Sequence, residues 1–247
     1  MIDLLIGCLA GIFIGATGIG AGSILTPLLI LRGHDPLTAV TTGLIALVVA
    51  KSVGSLQHVI SGHWPASHGL PVILGGMGGA GLGFLLIHYF VTRTNSFGAV
   101  LRMTLGVILL TAGVASILSS RLRNYMPAVR HRGSLMTLAA LGTGAAVATT
   151  SAGSGTLLAV TVFPITKWSV SEFSAVSNVF GLLTGLIGFA AYSRFDSFDP
   201  QLLALVTIGA ILGIFAGVFA SRRIQRNHFA VAVRGLTLVL GLALTLT

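Results

Sequence analysis

The sequence predicts an all-α polytopic membrane protein. About eight hydrophobic segments fall in two homologous four-segment halves, and the first segment of each half is broken or re-entrant. Three observations carry this reading. The first is composition: of 247 residues, 54% are apolar and only 8% are charged, with a mean hydropathy of +0.99. Soluble domains carry about 25% charged residues, and a soluble globule does not cover its surface with a third of that. The second is a series of apolar runs, each near the roughly 20 residues that cross a hydrocarbon core. The third is an internal repeat. The same composition excludes disorder, and the single Cys8 excludes a disulfide scaffold. The net charge of +9 is not a nucleic-acid footprint, because the 14 Lys and Arg sit mostly at the ends of apolar runs.

The runs cover 2–31, 38–60, 69–91, 97–118, 134–165, 173–193, 201–221 and 229–247. Most of the charge lies between them, from Arg32 and Asp35 through Arg121, Arg123, Arg130 and Arg132 to Arg222, Arg223 and Arg226. The connections are short, so no soluble domain is expected between them. The first run carries Asp3 and no Lys or Arg ahead of it, which is the wrong pattern for a secretory signal. The runs lack the two-residue alternation of barrel strands, so helices are expected.

The repeat is the most informative feature. TGIGAGSIL at 17–25 returns as TSAGSGTLL at 150–158, Gly75, Gly79 and Gly83 return as Gly209, Gly213 and Gly217, and Asn95, Phe97 and Arg102 return as Asn227, Phe229 and Arg234. Three landmarks in one order predict a first repeat at 1–120, a basic linker at 121–133 and a second repeat at 134–247. Duplication of this kind is typical of secondary transporters, whose sites form where the halves meet near the midplane.

Each half opens with a long apolar run interrupted by small residues. Gly15 to Ser23 precedes Pro27, and Thr149 to Thr156 precedes Pro164. Glycine favours irregular backbone and proline removes a donor, so each run is expected to break mid-membrane. Broken backbone at that depth survives only where protein or a water-filled cavity surrounds it. Gly18, Gly20, Gly22 and Ser23 in the first break, and Ser151, Gly153, Ser154, Gly155 and Thr156 in the second, are therefore the candidate substrate contacts. Freed N–H groups and hydroxyls suit an anion. The competing reading is that these small residues only permit tight helix packing.

Gly7, Gly11 and Gly15 lie four apart, as do Gly75, Gly79 and Gly83, Gly209, Gly213 and Gly217, and Gly181 and Gly185. These read as packing stripes. Gly76 to Gly81 matches the dinucleotide pattern G-x-G-x-x-G by accident, lacking the strand and the downstream acid. His58, His63 and His68 have no carboxylates nearby and make a poor metal set. No metal site, cofactor or catalytic residue is expected, and Cys8 reads as a small buried residue.

Lys51 stands near the middle of the second run, where a charge is costly and usually functional. It is expected to attract substrate or to act as a counter-charge, or else to cap a carbonyl cluster. The matching segment of the second half offers Asn178, the eleventh candidate contact. Arg102 and Arg234 are near enough to run ends to snorkel. With carboxylates almost absent from the runs, any coupled proton would fall to a histidine such as His58 or His88, or to the substrate.

These residues resemble the sulfite exporter TauE/SafE family, also called TSUP. Its halves begin with a glycine-rich stretch of the form G-x-G-G-G followed by a proline, and here Gly18-Ile19-Gly20-Ala21-Gly22-Ser23 leads to Pro27. The second copy, Ser151-Ala152-Gly153-Ser154-Gly155, keeps two glycines and lacks the nearby proline. The stretch from His58 to Gly62 and the glycine stripe of the third segment are similar too, so the likeness spans nearly the whole chain. It implies a multi-pass transporter of the bacterial inner membrane, carrying sulfite, thiosulfate, sulfonates or other small organic anions. The expected partners are lipid and a small anionic substrate, without nucleic acid, and an assembly of identical copies is compatible with this. An anion channel is the alternative. An intramembrane serine hydrolase using Ser23 or Ser154 with His58 is the remote one.

Two topologies compete. Eight plain spans divide the basic residues almost evenly between the two sides. Re-entrant opening runs instead leave three crossings per half, invert the halves and gather the loops at 119–133, 166–172 and 221–228 on one face. The positive-inside rule makes that face cytoplasmic and puts both termini outside. This second arrangement is the expectation preferred here.

Overall fold

The computed structural model describes residues 1–17, 22–60, 66–93, 97–122, 132–162, 165–166, 168–195, 198–221 and 226–246. Within these residues there are ten helices and no strand. They are α1 (Ile2–Thr17), α2 (Gly22–Leu31), α3 (Pro36–Ile60), α4 (Ala66–Arg93), α5 (Phe97–Leu122), α6 (Arg132–Thr150), α7 (Thr156–Thr161), α8 (Val170–Tyr192), α9 (Pro200–Ser221) and α10 (Arg226–Leu246). All eight apolar runs are thus helical. The first and fifth are each divided, between Thr17 and Gly22 and between Thr150 and Thr156.

The scarce acids begin the helices. Asp35 accepts from the backbone N–H groups of Leu37 and Thr38 at 3.0 and 3.2 Å, with Pro36 at the first helical position of α3. Asp199 does the same for Gln201 and Leu202 at 2.9 and 3.0 Å, ahead of Pro200 in α9. Ser169 and Glu172 form a capping box at the start of α8. Side-chain caps satisfy N–H groups that a helix start leaves open, and proline there lacks only a donor that had no partner. Carboxylates used at helix starts are missing from the spans.

The glycine stripes do what their spacing predicts. A Cβ on Gly7, Gly11 or Gly15 of α1 would run into the carbonyls of Val206, Ala210 or Ile214 of α9, and one on Gly209, Gly213 or Gly217 into those of Leu4, Cys8 or Ile12. Gly75, Gly79 and Gly83 of α4 lie in the same way against Thr137, Leu141 and Ala145 of α6. Backbone approach this close maximises dispersion contact where lipid offers no hydrophobic drive between helices. The pairing is reciprocal: α1 packs on α9 as α6 packs on α4, while α3 packs on α8 and α5 on α10.

The same contacts give the helix directions. Residue numbers rise together along α1 and α9 and along α4 and α6, so these pairs are parallel. Gly54 meets Asn178, Gly181 meets Lys51 and Gly188 meets Leu44, so α3 and α8 are antiparallel, as Gly106 against Gly241 and Gly113 against Leu238 make α5 and α10. Only residues 61–65 join α3 to α4, a stretch that reaches about 17 Å at most against about 37 Å for α3. So α4 runs opposite to α3, packed against α6 and α8, and α6 and α8 run in one direction. The chain between them must then return to the face where α6 began. The first run returns likewise: His34, beyond α2, hydrogen-bonds Asp3 at the start of α1 at 2.9 Å.

Both opening runs are therefore re-entrant hairpins, α1–α2 from the face that holds the two chain ends and α6–α7 from the opposite face. By length and composition the candidate spans among the described residues are α3, α4, α5, α6, α8 and α9, with Ile2–Gly15 of α1 and Val231–Leu246 of α10 shorter. The helix directions make α6 a hairpin arm, and α8, α9 and α10 run opposite in sense to α3, α4 and α5. Large apolar side chains such as Met103, Leu138, Phe215 and Val231 point outward, as lipid requires.

Candidate functional site

The two hairpin tips meet. Ser23 Oγ, in the first turn of α2, lies 3.3 Å from Thr156 Oγ1, in the first turn of α7. Ser23 and Thr156 are the residues that the repeat offset of 133 matches to each other. Ser23 Oγ also accepts from the Gly153 N–H at 3.2 Å, and Thr26 Oγ1 bonds Ser151 Oγ at 2.5 Å. Sequence reasoning set two separate glycine breaks side by side. Folding joins them into one hydroxyl-lined node inside the protein.

The second break has backbone that few sequences adopt. Ser151 has φ +59° and Gly153 φ +96°. The first value is unusual for a non-glycine residue and marks a functional candidate. The break is held from α2 by the Thr26 and Ser23 bonds, and from α8 by Tyr192 Oη donating to the Thr149 carbonyl at 2.5 Å, which satisfies an acceptor freed by the end of α6. Gly43 of α3 gives the room, since a Cβ there would meet both Thr26 Oγ1 and Ser151 Oγ.

Ser154 sits at the same tip, 1% exposed, and its hydroxyl has no partner. Buried hydroxyls are normally bonded, so an unpartnered one stands out. Two other described hydroxyls share that condition, those of Ser55 and Thr207. Thr207 lines a small, mostly apolar cavity of about 10 Å³ beside Ala10, Leu25 and Ala46, about the room for one water.

Lys51 lies elsewhere. Its ammonium donates to Asn178 Oδ1 at 3.0 Å, and Asn178 packs against Gly54. Gly54 is eleven residues along α3 from Gly43, about 16 Å. The side chain points away from the hairpin tips. The structure thus divides the predicted contacts: Ser23, Ser151, Gly153, Ser154, Gly155 and Thr156 gather at the tips, while Lys51 and Asn178 pair with each other at the α3–α8 crossing. Gly22 begins α2 beside Ser23. Gly18, Gly20 and the side chain of His58 lie outside the described residues.

Thr26, Tyr192, Gly43, Gly54 and Ser55 were missed as contacts. Ser55 had a legible signal, one turn beyond Lys51 on the same helical face. The others depend on which helices meet.

The sequence profile of the family described as Sulfite exporter TauE/SafE matches residues 4–244. The chain belongs to the TauE/SafE family. This TauE/SafE protein is 27% identical over 258 residues to the probable membrane transporter protein YjnA of Bacillus subtilis (strain 168), covering 98% of each chain. It is 32% identical over 94 residues to the probable membrane transporter protein YunE of the same organism, covering 38% of this chain and 33% of that one. No solved structure matches it significantly. Fold and family together establish a multi-pass membrane protein of a transporter family.

Within that family frame, Ser23 is a poor nucleophile. Its oxygen already engages Thr156 and the Gly153 N–H, and the side chain of His58, the base that a hydrolase would need, lies outside the described residues.

Proposed function

We propose that this TauE/SafE protein is a secondary carrier of small anions of the bacterial cell membrane, with sulfite, thiosulfate and sulfonates as the substrate class. The observation that carries the anion is Lys51: 3% exposed, within a span, and hydrogen-bonded to a neutral amide rather than to a carboxylate. An unpaired ammonium in a low-dielectric interior is costly, and an anionic substrate supplies the missing charge. The hairpin tips provide the mid-membrane contact, with the Ser154 hydroxyl free to donate.

The repeats at 1–120 and 134–247, joined by the basic linker 121–133, are the two units that move. Rocking one against the other would open the tips to each face in turn. The loops bearing Arg121, Arg123, Arg130, Arg132, Lys167, Arg222, Arg223 and Arg226 are placed in the cytoplasm and both termini outside.

Thermal unfolding of the purified protein against sulfite, thiosulfate, sulfonates, sulfate and carboxylates tests the reading. A ligand that binds only the folded state raises its stability, so a selective rise with one sulfur anion is expected. No rise with any anion would overturn it. In proteoliposomes, flux saturates with concentration for a carrier, and flux that never saturates would indicate a channel.

A further inference from the structure

We infer that Lys51, Asn178 and Ser55 form an anion-binding station of their own, separate from the hairpin tips and lying toward the face that carries the basic loops. The inference rests on the anion-carrier reading and deepens it, turning one site into two in series.

Donor chemistry is the first argument. The Lys51 ammonium has three N–H donors and uses one, on Asn178 Oδ1. That bond leaves the Asn178 amide with its two Nδ2 hydrogens directed elsewhere, and Asn178 is 9% exposed. Ser55, one turn beyond Lys51 on the face of α3 that meets α8, is 7% exposed and its hydroxyl has no partner. A buried cluster of cation, amide and hydroxyl is short of acceptors. A small oxyanion brings several acceptors and the compensating charge. A metal cation or a neutral apolar solute brings neither.

The second argument is that the room is built from both helices. A Cβ on Gly181 of α8 would lie 3.1 Å from Lys51 Cε, and one on Gly54 of α3 would lie 2.7 Å from Asn178 Nδ2. Glycine at these two places lets the lysine stem and the amide lie across the helix crossing. No carboxylate competes for the ammonium from either helix: α3 contains no acid, and the one acid of α8, Glu172, engages Ser169 at the helix start.

The third argument is direction. α3 runs from the face of the chain ends toward the opposite one, and the ammonium lies at the level of Gly54, about 16 Å beyond the Gly43 contact with the tips. An anion entering from the basic-loop face meets Lys51 first and the Ser154 node second. The repeat offset of 133 puts Thr184 and Ile45 at the mirrored places. Thr184 spends its hydroxyl on the Phe180 carbonyl at 2.7 Å, so the station has no twin on the other face.

The test is equilibrium binding of radiolabelled thiosulfate to the full chain in lipid nanodiscs, with thermal unfolding as the folding check. Wild type is expected to bind two anions per chain. Ser154→Val is expected to keep one, and Lys51→Met to lose that one while keeping the other. Ser55→Ala should weaken the Lys51 station about tenfold, the loss of one hydrogen bond to a charged ligand. If Lys51→Met fails to fold, Asn178→Asp decides: it gives the ammonium an internal carboxylate, which stabilises the fold and abolishes binding at this station, whereas a purely structural lysine would leave binding unchanged. Wild-type binding in both Lys51→Met and Asn178→Asp overturns the station and leaves the carrier standing. Loss of all binding in both Ser154→Val and Lys51→Met overturns it in favour of one shared site. Absence of binding by wild type to thiosulfate, sulfite and sulfonates overturns the anion-carrier reading itself.

Discussion

Replacing Gly153 by valine perturbs the tip contact where the structure gives it least tolerance. Gly153 has φ +96°, and a Cβ there would lie 2.5 Å from Leu157 Cδ1 and 2.9 Å from its Cγ. A β-branched residue in that backbone region costs about 1–3 kcal/mol. Relieving the Leu157 clash moves the start of α7, and with it the Gly153 N–H that donates to Ser23 Oγ, a bond worth about 0.5–1.5 kcal/mol net. The sum, about 2–4 kcal/mol, is less than the roughly 5–15 kcal/mol that holds a typical domain folded. The variant should insert and fold with a lowered unfolding temperature, while its tips no longer meet. Thiosulfate flux into proteoliposomes is expected to fall at least tenfold. Gly33→Ala is the matched control. Gly33 has φ +102° but open space around it, so the strain of about 1 kcal/mol should leave flux within about twofold of wild type. Normal flux in Gly153→Val would falsify the tip site, and equal loss in Gly33→Ala would show that flux responds to backbone strain anywhere.

Three further outcomes are expected. Gly79→Ala sets a Cβ into the Leu141 carbonyl and should destabilise by more than about 2 kcal/mol, whereas Gly81→Ala, with open space, should be neutral or stabilise by up to about 1 kcal/mol through helix propensity; urea or thermal unfolding separates the two, and similar losses would show that the stripe does not set the packing. Tyr192→Phe removes the donor to the Thr149 carbonyl and should cost about 1–3 kcal/mol, with flux falling more than unfolding temperature because the bond sits at the hairpin tip; unchanged flux would separate Tyr192 from the site. Reporter fusions at either end should read extracytoplasmic, and a cytoplasmic N-terminus would reverse the orientation.

The parts of the fold legible in the sequence are those that local chemistry dictates. Apolar runs long enough to span lipid had to become helices, because no other backbone satisfies its own N–H and C=O groups there. The clusters Gly15–Ser23 and Thr149–Thr156 had to interrupt those helices. Glycine at every fourth position had to mark close approach, as Gly7, Gly11 and Gly15 do against α9. Lys51 stood out because a charge in an apolar run is expensive wherever its side chain points.

Tertiary structure decided which of these features act together. Ser23 meets Thr156 because the hairpins enter from opposite faces, and that follows from the parallel packing of α1 on α9 and α6 on α4. Lys51 joins Asn178 rather than the tips because the side chain leans along α3 toward Gly54, a choice of rotamer and neighbour that spacing does not encode. Residue type and period determine where helices start, break and pack closely, since those terms are local. Which partner a buried polar group finds is determined by desolvation across contacts more than a hundred residues apart, and only the folded chain brings those contacts together.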